Sequence, residues 1–296
     1  MKPITWSNTN PLAARNSTVT LGHARFTLLS DAMVRLEYAE DGRFEDRATL
    51  AAINRRLPVP SFTVKRTRDR VVIRTKRLTI DYRETGRGFS SANLSISFHH
   101  RGARRIWRFG QKDPVNLGGT VRTLDGAIGN EFWLWKQNEQ GQWAPDRKVA
   151  IDLGHGFLSR NGWSVVDDSG SVVLDAAAGD GKPWAAPRPA AHRHDLYFLG
   201  HGLDFKTALA DAARVFGGQP LPPRYALGYW YSRYWAYTDR EIENLVDQFD
   251  RMNLPIDVMV IDMDWHLQGW TGYTWDPDYF PDPTAHLETL RRRGIK

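Results

Sequence analysis

Two carboxylates stand two residues apart at Asp262 and Asp264, followed at once by Trp265. They close the segment Ile256-Asp257-Val258-Met259-Val260-Ile261, which is apolar on both faces except at Asp257, as a parallel strand covered on both sides should be. On a strand, positions i and i+2 point the same way, so the two carboxylates are expected on one face roughly 7 Å apart. That separation lies in the range over which paired carboxylates assist the cleavage of a glycosidic bond. The C-terminal end of such a strand is where parallel α/β folds gather their chemistry, because the loops there open on one face. The plainer alternative has one Asp paired with a neighbouring Arg and the other capping a loop. The cost of an unpaired carboxylate inside a barrel favours the functional reading.

Aromatic residues crowd the same region: Tyr229, Trp230, Tyr231, Tyr234, Trp235, Tyr237, Trp265, Trp270, Tyr273, Trp275 and Tyr279. Pyranose rings offer apolar C–H faces that stack on aromatic planes, while their hydroxyls need fixed charged partners. Most of these rings should be core, since aromatics carry large apolar areas. Tyr234, Trp235, Trp265 and Trp270 fall in irregular segments and are the least easily explained that way.

The elements that must position these groups follow one grammar. Leu221-Pro222-Pro223 reads as a hinge, and Ala226-Leu227-Gly228-Tyr229-Trp230-Tyr231 as a buried strand. Thr238-Asp239-Arg240-Glu241 is a capping box, which satisfies two orphan backbone donors where a helix starts. Behind it Ile242, Leu245, Val246, Phe249 and Met252 form an apolar stripe at helical spacing. A second helix is expected after the loop, with Asp282 as cap, Pro283 at its first position and Gly294 at its end. Ile295-Lys296 reads as the first step of a third strand. Strand, helix, strand, helix, strand is a (β/α) repeat.

Four motifs in this order carry a resemblance. Gly228-Tyr229-Trp230-Tyr231-Ser232-Arg233-Tyr234, Leu254-Pro255-Ile256-Asp257-Val258, Ile261 to Trp265, and Thr274 to Pro283 resemble the first two (β/α) units of glycoside hydrolase family 31, the α-glucosidase and α-xylosidase family. The resemblance implies an eight-stranded barrel that hydrolyses an α-linked terminal sugar with retention. One Asp would attack the anomeric carbon while a second carboxylic acid protonates the leaving oxygen and then activates water. The family carries both on its fourth and sixth strands. A whole barrel takes about 250 residues, and this chain reaches only the start of the third strand. The catalytic pair is therefore expected downstream of Lys296, with the chain a fragment that is inactive alone. By motif position Asp264 matches the carboxylate that binds hydroxyls of the non-reducing sugar. Asp262 lies deeper, Tyr234 matches an aromatic of the same subsite, and Trp265 extends it. No cofactor is implied. Hydrolysis and transglycosylation share one intermediate, so the acceptor, the sugar and the oligomeric state stay open.

Residues 1–220 read differently. Ala24 to Leu29, Met33 to Tyr38, Val71 to Thr75, Leu78 to Tyr82 and Leu94 to Phe98 are short, often alternating segments split by turn residues. This predicts an antiparallel β-sandwich, which the resemblance makes galactose-mutarotase-like, closed by a helix before the barrel segment at 221–296. Asp204 caps that helix, with Phe205, Leu209, Ala212, Ala213 and Phe216 inward. The glycine loop Asn116 to Gly126 lacks the Gly-Lys-Ser/Thr of a phosphate loop. Its Asp125 matches, by the resemblance, a residue that reaches the bound sugar; a turn-forming Asp before Gly126 is the alternative. Ile151 to Phe157 begins like a dinucleotide fingerprint but lacks its third glycine. His192, His194 and His201 have no clear further ligand set for a metal.

Composition sets outer bounds. The chain has 296 residues, 41% hydrophobic, with net charge +6. Without cysteine it has no disulfide, thiol nucleophile or Cys-ligated zinc. No apolar run is long enough for a membrane span. Met1 to Trp6 carries no apolar export signal, so a cytoplasmic location is expected. The basic clusters Lys65 to Arg77 and Arg101 to Arg105 sit among strands and turns with no recognition helix, and read as solvated sheet faces rather than a nucleic-acid surface. The expected partner is a small carbohydrate. A non-catalytic carbohydrate-binding protein is the second reading, and a basic nucleic-acid-binding protein the third.

Overall fold

The computed structural model describes residues 9–119, 127–128, 131–150, 154–175, 184–267 and 272–296. The chain divides into two compact units, Met1–Gly218 and Gln219–Lys296.

Two five-stranded antiparallel sheets dominate the first unit. One contains β1 (Thr18–Leu21), β2 (Ala24–Leu28), β3 (Met33–Ala39), β12 (Ser164–Asp167) and β15 (Arg193–Leu199), in the order β1-β2-β3-β15-β12. The other runs in chain order through β4 (Thr63–Arg66), β5 (Arg70–Arg74), β6 (Thr79–Arg83), β7 (Leu94–His100) and β8 (Ala103–Arg108). Alternation decides what they share. Phe26, Val34, Leu36 and Tyr38 from one sheet and Val71, Ile73, Ile80, Tyr82, Leu94, Ile96 and Phe98 from the other form a single buried cluster. The alternating residues of β6 and β7 point inward as their sequence predicts. Smaller pairings complete the unit: β9 (Ala127–Ile128) with β10 (Glu131–Gln137) and β11 (Trp143–Ala150), and β13 (Val173–Asp175) with β14 (Trp184–Ala186).

Strand β3 is buried along its whole length, including Arg35 and Glu37 on the face turned away from the shared core. That face is covered by a network of ions. Arg35 donates to both Asp195 oxygens at 2.7 Å and to the Glu45 carbonyl at 2.9 Å. Arg188 bridges Asp195 at 2.9 Å and Asp168 at 3.2 Å, and Thr49 donates to Asp168 at 2.9 Å. Burying charges is tolerable only when they are paired in this way.

Helix α1 (Phe205–Phe216) starts at Asp204, whose side chain accepts from the Thr207 amide. Its inward face corrects the expected one. Ala208, Asp211, Ala212 and Val215 are buried, whereas Leu209 is 47% exposed. Small side chains let the helix lie close to the sheet, and Asp211 is held there by Ser30 at 2.5 Å and His201 at 2.9 Å.

The second unit pairs β16 (Trp230–Tyr231) with β17 (Val258–Met259) in parallel. Helix α2 (Asp239–Arg251) connects them, opened by the expected capping box of Thr238 and Glu241. Helix α3 (Pro283–Arg292) follows, capped by Asp282 and ended by Gly294 at φ 81°. On the other edge of β17, the Lys296 amide donates to the Asp257 carbonyl and the Met259 amide to the Lys296 carbonyl, the pattern of a third parallel strand. Ile242, Val246, Met259, Phe280, Leu290 and Ile295 make the core. Two expectations need correction. The strand predicted from Ala226 begins only at Trp230, after a 3₁₀ turn at Arg224–Leu227 that leaves Leu227 80% exposed. Met252 caps α2 and is 67% exposed instead of continuing its apolar stripe. Among the described residues β16 has one strand neighbour, so its outer edge lacks the cover that continuous burial requires.

Candidate functional site

Parallel pairing brings the β17 chain forward until the Val260 amide donates to the Tyr231 carbonyl at 2.9 Å. The backbone then leaves the ladder, and Asp264 lies in a bend that begins just after Asp262. Asp264 has φ 62°, in the left-handed region that Asp and Asn enter more readily than other side chains. This corrects the expected geometry. The rule that i and i+2 share a face holds only for extended backbone, and a left-handed residue breaks the alternation. Both carboxylates are exposed and make no hydrogen bond or ion pair among the described residues.

The turn at Asp264 sends Trp265 inward. Its ring packs edge-on against Trp275 at 5.0 Å, and Trp275 continues onto Phe280 at 5.1 Å. Backbone bonds from Leu267 to Thr274 and from Asp276 to Trp265, at 3.0 and 2.9 Å, close the loop on itself. Trp265 is thus half-buried at the rim of the core, with its ring engaged by protein. Tyr234 is 71% exposed on an open surface. Beside it the Arg233 guanidinium lies 4.6 Å from the centre of the Trp235 ring, a cation–π stack that sequence reading does not anticipate. Tyr231 and Tyr237 share a hydroxyl–hydroxyl bond of 3.1 Å, which with burial raises the Tyr231 phenol above its ordinary value.

Asp257 is the residue whose role the sequence left unassigned. Its carboxylate accepts from the Tyr229 amide at 2.9 Å and ties the two strands together where the chain enters β16. The signal was present as the one polar residue in an apolar run. Asp125 and Trp270 lie outside the described residues.

The histidines separate into two settings. His192 and His194 are 5.0 Å apart, centre to centre, and His194 stacks on Phe89 in an aromatic cluster. Burial, and then His192, lowers the His194 pKa. His201 is bonded to Asp211 instead. Among the described residues no group of three or more His, Asp or Glu side chains is arranged to hold a metal ion. Nor is any described helix long and apolar enough to cross a membrane.

Residues 219–296 match the sequence profile described as "Glycosyl hydrolases family 31 TIM-barrel domain". Among its relatives, human neutral alpha-glucosidase AB is 43% identical over 100 residues, which are 33% of this chain and 10% of that protein. The alpha-xylosidase of Saccharolobus solfataricus is 28% identical over 148 residues, 49% of this chain and 20% of that one. The crystal structure of a Xanthomonas citri family 31 alpha-xylosidase superposes with a TM-score of 0.54 at 13% identity, covering 96% of this chain and 49% of that chain. A family 31 dextranase of Flavobacterium johnsoniae superposes with a TM-score of 0.53 at 18% identity, covering 96% and 36%. At such identities the superpositions establish fold alone. The chain spans about half the length of the first of these structures, and its matches cover a tenth to a fifth of these two sequence relatives.

Proposed function

We propose that this chain is the N-terminal part of a retaining α-glycosidase acting on α-linked terminal sugars, with Asp264 binding sugar hydroxyls. Its two facing sheets form a galactose-mutarotase-like sandwich over about residues 1–220, and 221–296 open a (β/α)8 barrel. The observation that carries the reading is the family 31 barrel match over 219–296, which includes Asp262 and Asp264, both exposed and without a side-chain partner among the described residues. An exposed carboxylate with free lone pairs can accept two hydroxyl hydrogen bonds, the standard way to fix a sugar ring. By the resemblance Tyr234 supplies an apolar face of the same subsite, and Asp262 lies deeper in the barrel. Trp265 buttresses the turn from inside and reaches sugar only at its outer edge. By the resemblance Asp125 is a further candidate for contact with the sugar. The nucleophile and the acid/base belong to barrel strands outside these 296 residues. A p-nitrophenyl α-glucoside and the α-xyloside test this. The longer enzyme should turn over one of them with retention, and the 296-residue chain neither; turnover by the short chain alone would place the catalytic pair within it.

A second reading draws on a different observation. Tyr229 and Trp230 are each 50% exposed, Trp235 51% and Tyr273 93%, an aromatic surface suited to holding sugar without cleaving it. Saturable quenching of tryptophan fluorescence by maltose or isomaltose, with no turnover by the longer enzyme, would favour this reading over catalysis.

A further inference from the structure

The two basic clusters of the first unit differ in what holds them. Along β4 to β6 three of the arginines have partners: Arg66 donates to the Thr20 carbonyl, Arg70 pairs with Asp81 at 2.5 Å, and Arg77 reaches Asp204 at 3.2 Å. At the tip of the β7–β8 hairpin the guanidinium groups of Arg101 and Arg105 have none among the described residues. There a basin of about 670 Å³ lies between the hairpin and the chain around Gln111, Val115 and Arg160. Cross-strand register places Arg105 opposite Phe98 and Trp107 opposite Ile96, so Arg105 continues the core-facing row past the point where the core ends.

Phe98 and Trp163 form a buried apolar floor, and Arg101, Arg104, Arg105 and Arg160 stand exposed around it. Among the described residues no carboxylate lines the basin. Arg104 is steadied by Ser97, which accepts at 2.9 Å. The guanidinium groups of Arg101, Arg105 and Arg160 have no side-chain partner among the described residues. The one acid in the adjoining loop, Asp113, is buried and accepts from Ser159, Asn161 and Asn116 at 2.9, 2.9 and 3.2 Å. His100 also lines the basin at only 7% exposure, and its buried Nδ1 has no hydrogen-bond partner. Burial, then the charges of Arg101 and Arg105, lowers its pKa, a local sign that positive charge here is uncompensated.

We propose that this basin binds a small, multiply charged oxyanion: a phosphate or pyrophosphate group, free or carried on a sugar. Planar guanidinium forks match tetrahedral oxyanions bidentately, and an apolar floor weakens the screening of their charge. The basin is built entirely from residues of the first unit.

Isothermal titration of the chain with inorganic pyrophosphate and, separately, with a hexose phosphate tests the proposal and tells the two sources apart, with the neutral hexose as reference. One-to-one saturable binding of at least one phosphorylated ligand is expected, and none of the neutral hexose. The double variant Arg105→Ser/Arg160→Ser should weaken that binding by about tenfold per guanidinium lost, with an unchanged melting temperature because neither residue holds the fold. Arg66→Ser/Arg74→Ser, in the other basic cluster, should leave it intact. Absence of saturable binding, or equal loss in both double variants, overturns the proposal. So does much tighter, steeply salt-dependent binding of duplex DNA, which would make the cluster a nucleic-acid surface.

Discussion

The Asp257 carboxylate accepts from the Tyr229 amide at 2.9 Å and lies directly over Gly228, where an added β-carbon would overlap it. The first two strands of the α/β unit are thus locked at their N-terminal ends by one side chain seated on a residue that has none. Gly228→Ala should destabilise this unit by about 1–3 kcal/mol through overpacking, and Asp257→Leu by a similar amount through the unpaired Tyr229 amide. Asp257→Asn keeps an acceptor and should cost less than either. Denaturant midpoints of the three variants check the order, and an unchanged midpoint for Gly228→Ala would remove the proposed lock.

In the first unit, Asp195 and Asp168 share Arg188 but stand in opposite balance. Burial alone would raise Asp195, yet Arg35, Arg188 and Arg55 overcome it and bring the carboxyl down to about 2. For Asp168 burial prevails and the pKa is raised. Asp195→Asn leaves Arg35 buried without its counter-charge and should cost about 3–5 kcal/mol. Asp168→Asn replaces a group already disfavoured as a carboxylate and should cost clearly less. Urea unfolding of the two variants decides, with equal losses counting against this account.

The same carboxyl sets a pH dependence. Because its folded pKa lies below the unfolded value near 4, the stabilisation is fully present above that value. It is lost as pH falls from about 4 through about 2, a contribution on the order of 2–3 kcal/mol. Asp211, lowered by His201 and Ser30 against the effect of burial, acts in the same direction. Unfolding midpoints should therefore fall steeply below about pH 4, and this acid limb should flatten in Asp195→Asn. A variant with the wild-type acid limb would place the dependence elsewhere.

For Asp264 the backbone and the charge separate by choice of substitution. Asn tolerates the left-handed φ of 62° and removes the charge, whereas Ala also strains the turn. In the longer enzyme, Asp264→Asn should lower kcat/KM about ten- to a hundredfold, as expected for losing a charged hydrogen bond to substrate. In the 296-residue chain it should leave stability unchanged, and Asp264→Ala should cost about 1 kcal/mol more. Steady-state kinetics and thermal melting measure the two effects independently.

Local order was legible wherever a short-range rule governed it. The Thr238–Glu241 box, the Asp282 and Asp204 caps and the alternating strands at Ile80 and Ile96 depend on neighbours a few residues away, and each forms as its pattern dictates. The four motifs from Gly228 to Pro283 all fall within the segment that matches the family 31 barrel profile. Only the tertiary structure decided which side chains share a volume. Nothing local to Arg35 announces Asp195, 160 positions away along the chain and bonded at 2.7 Å. Nor does the spacing of Asp262 and Asp264 reveal the left-handed backbone at Asp264. Burial, charge pairing and the exit angle of a loop are set by which distant segments pack together, and a pattern of neighbours along the chain does not contain that information.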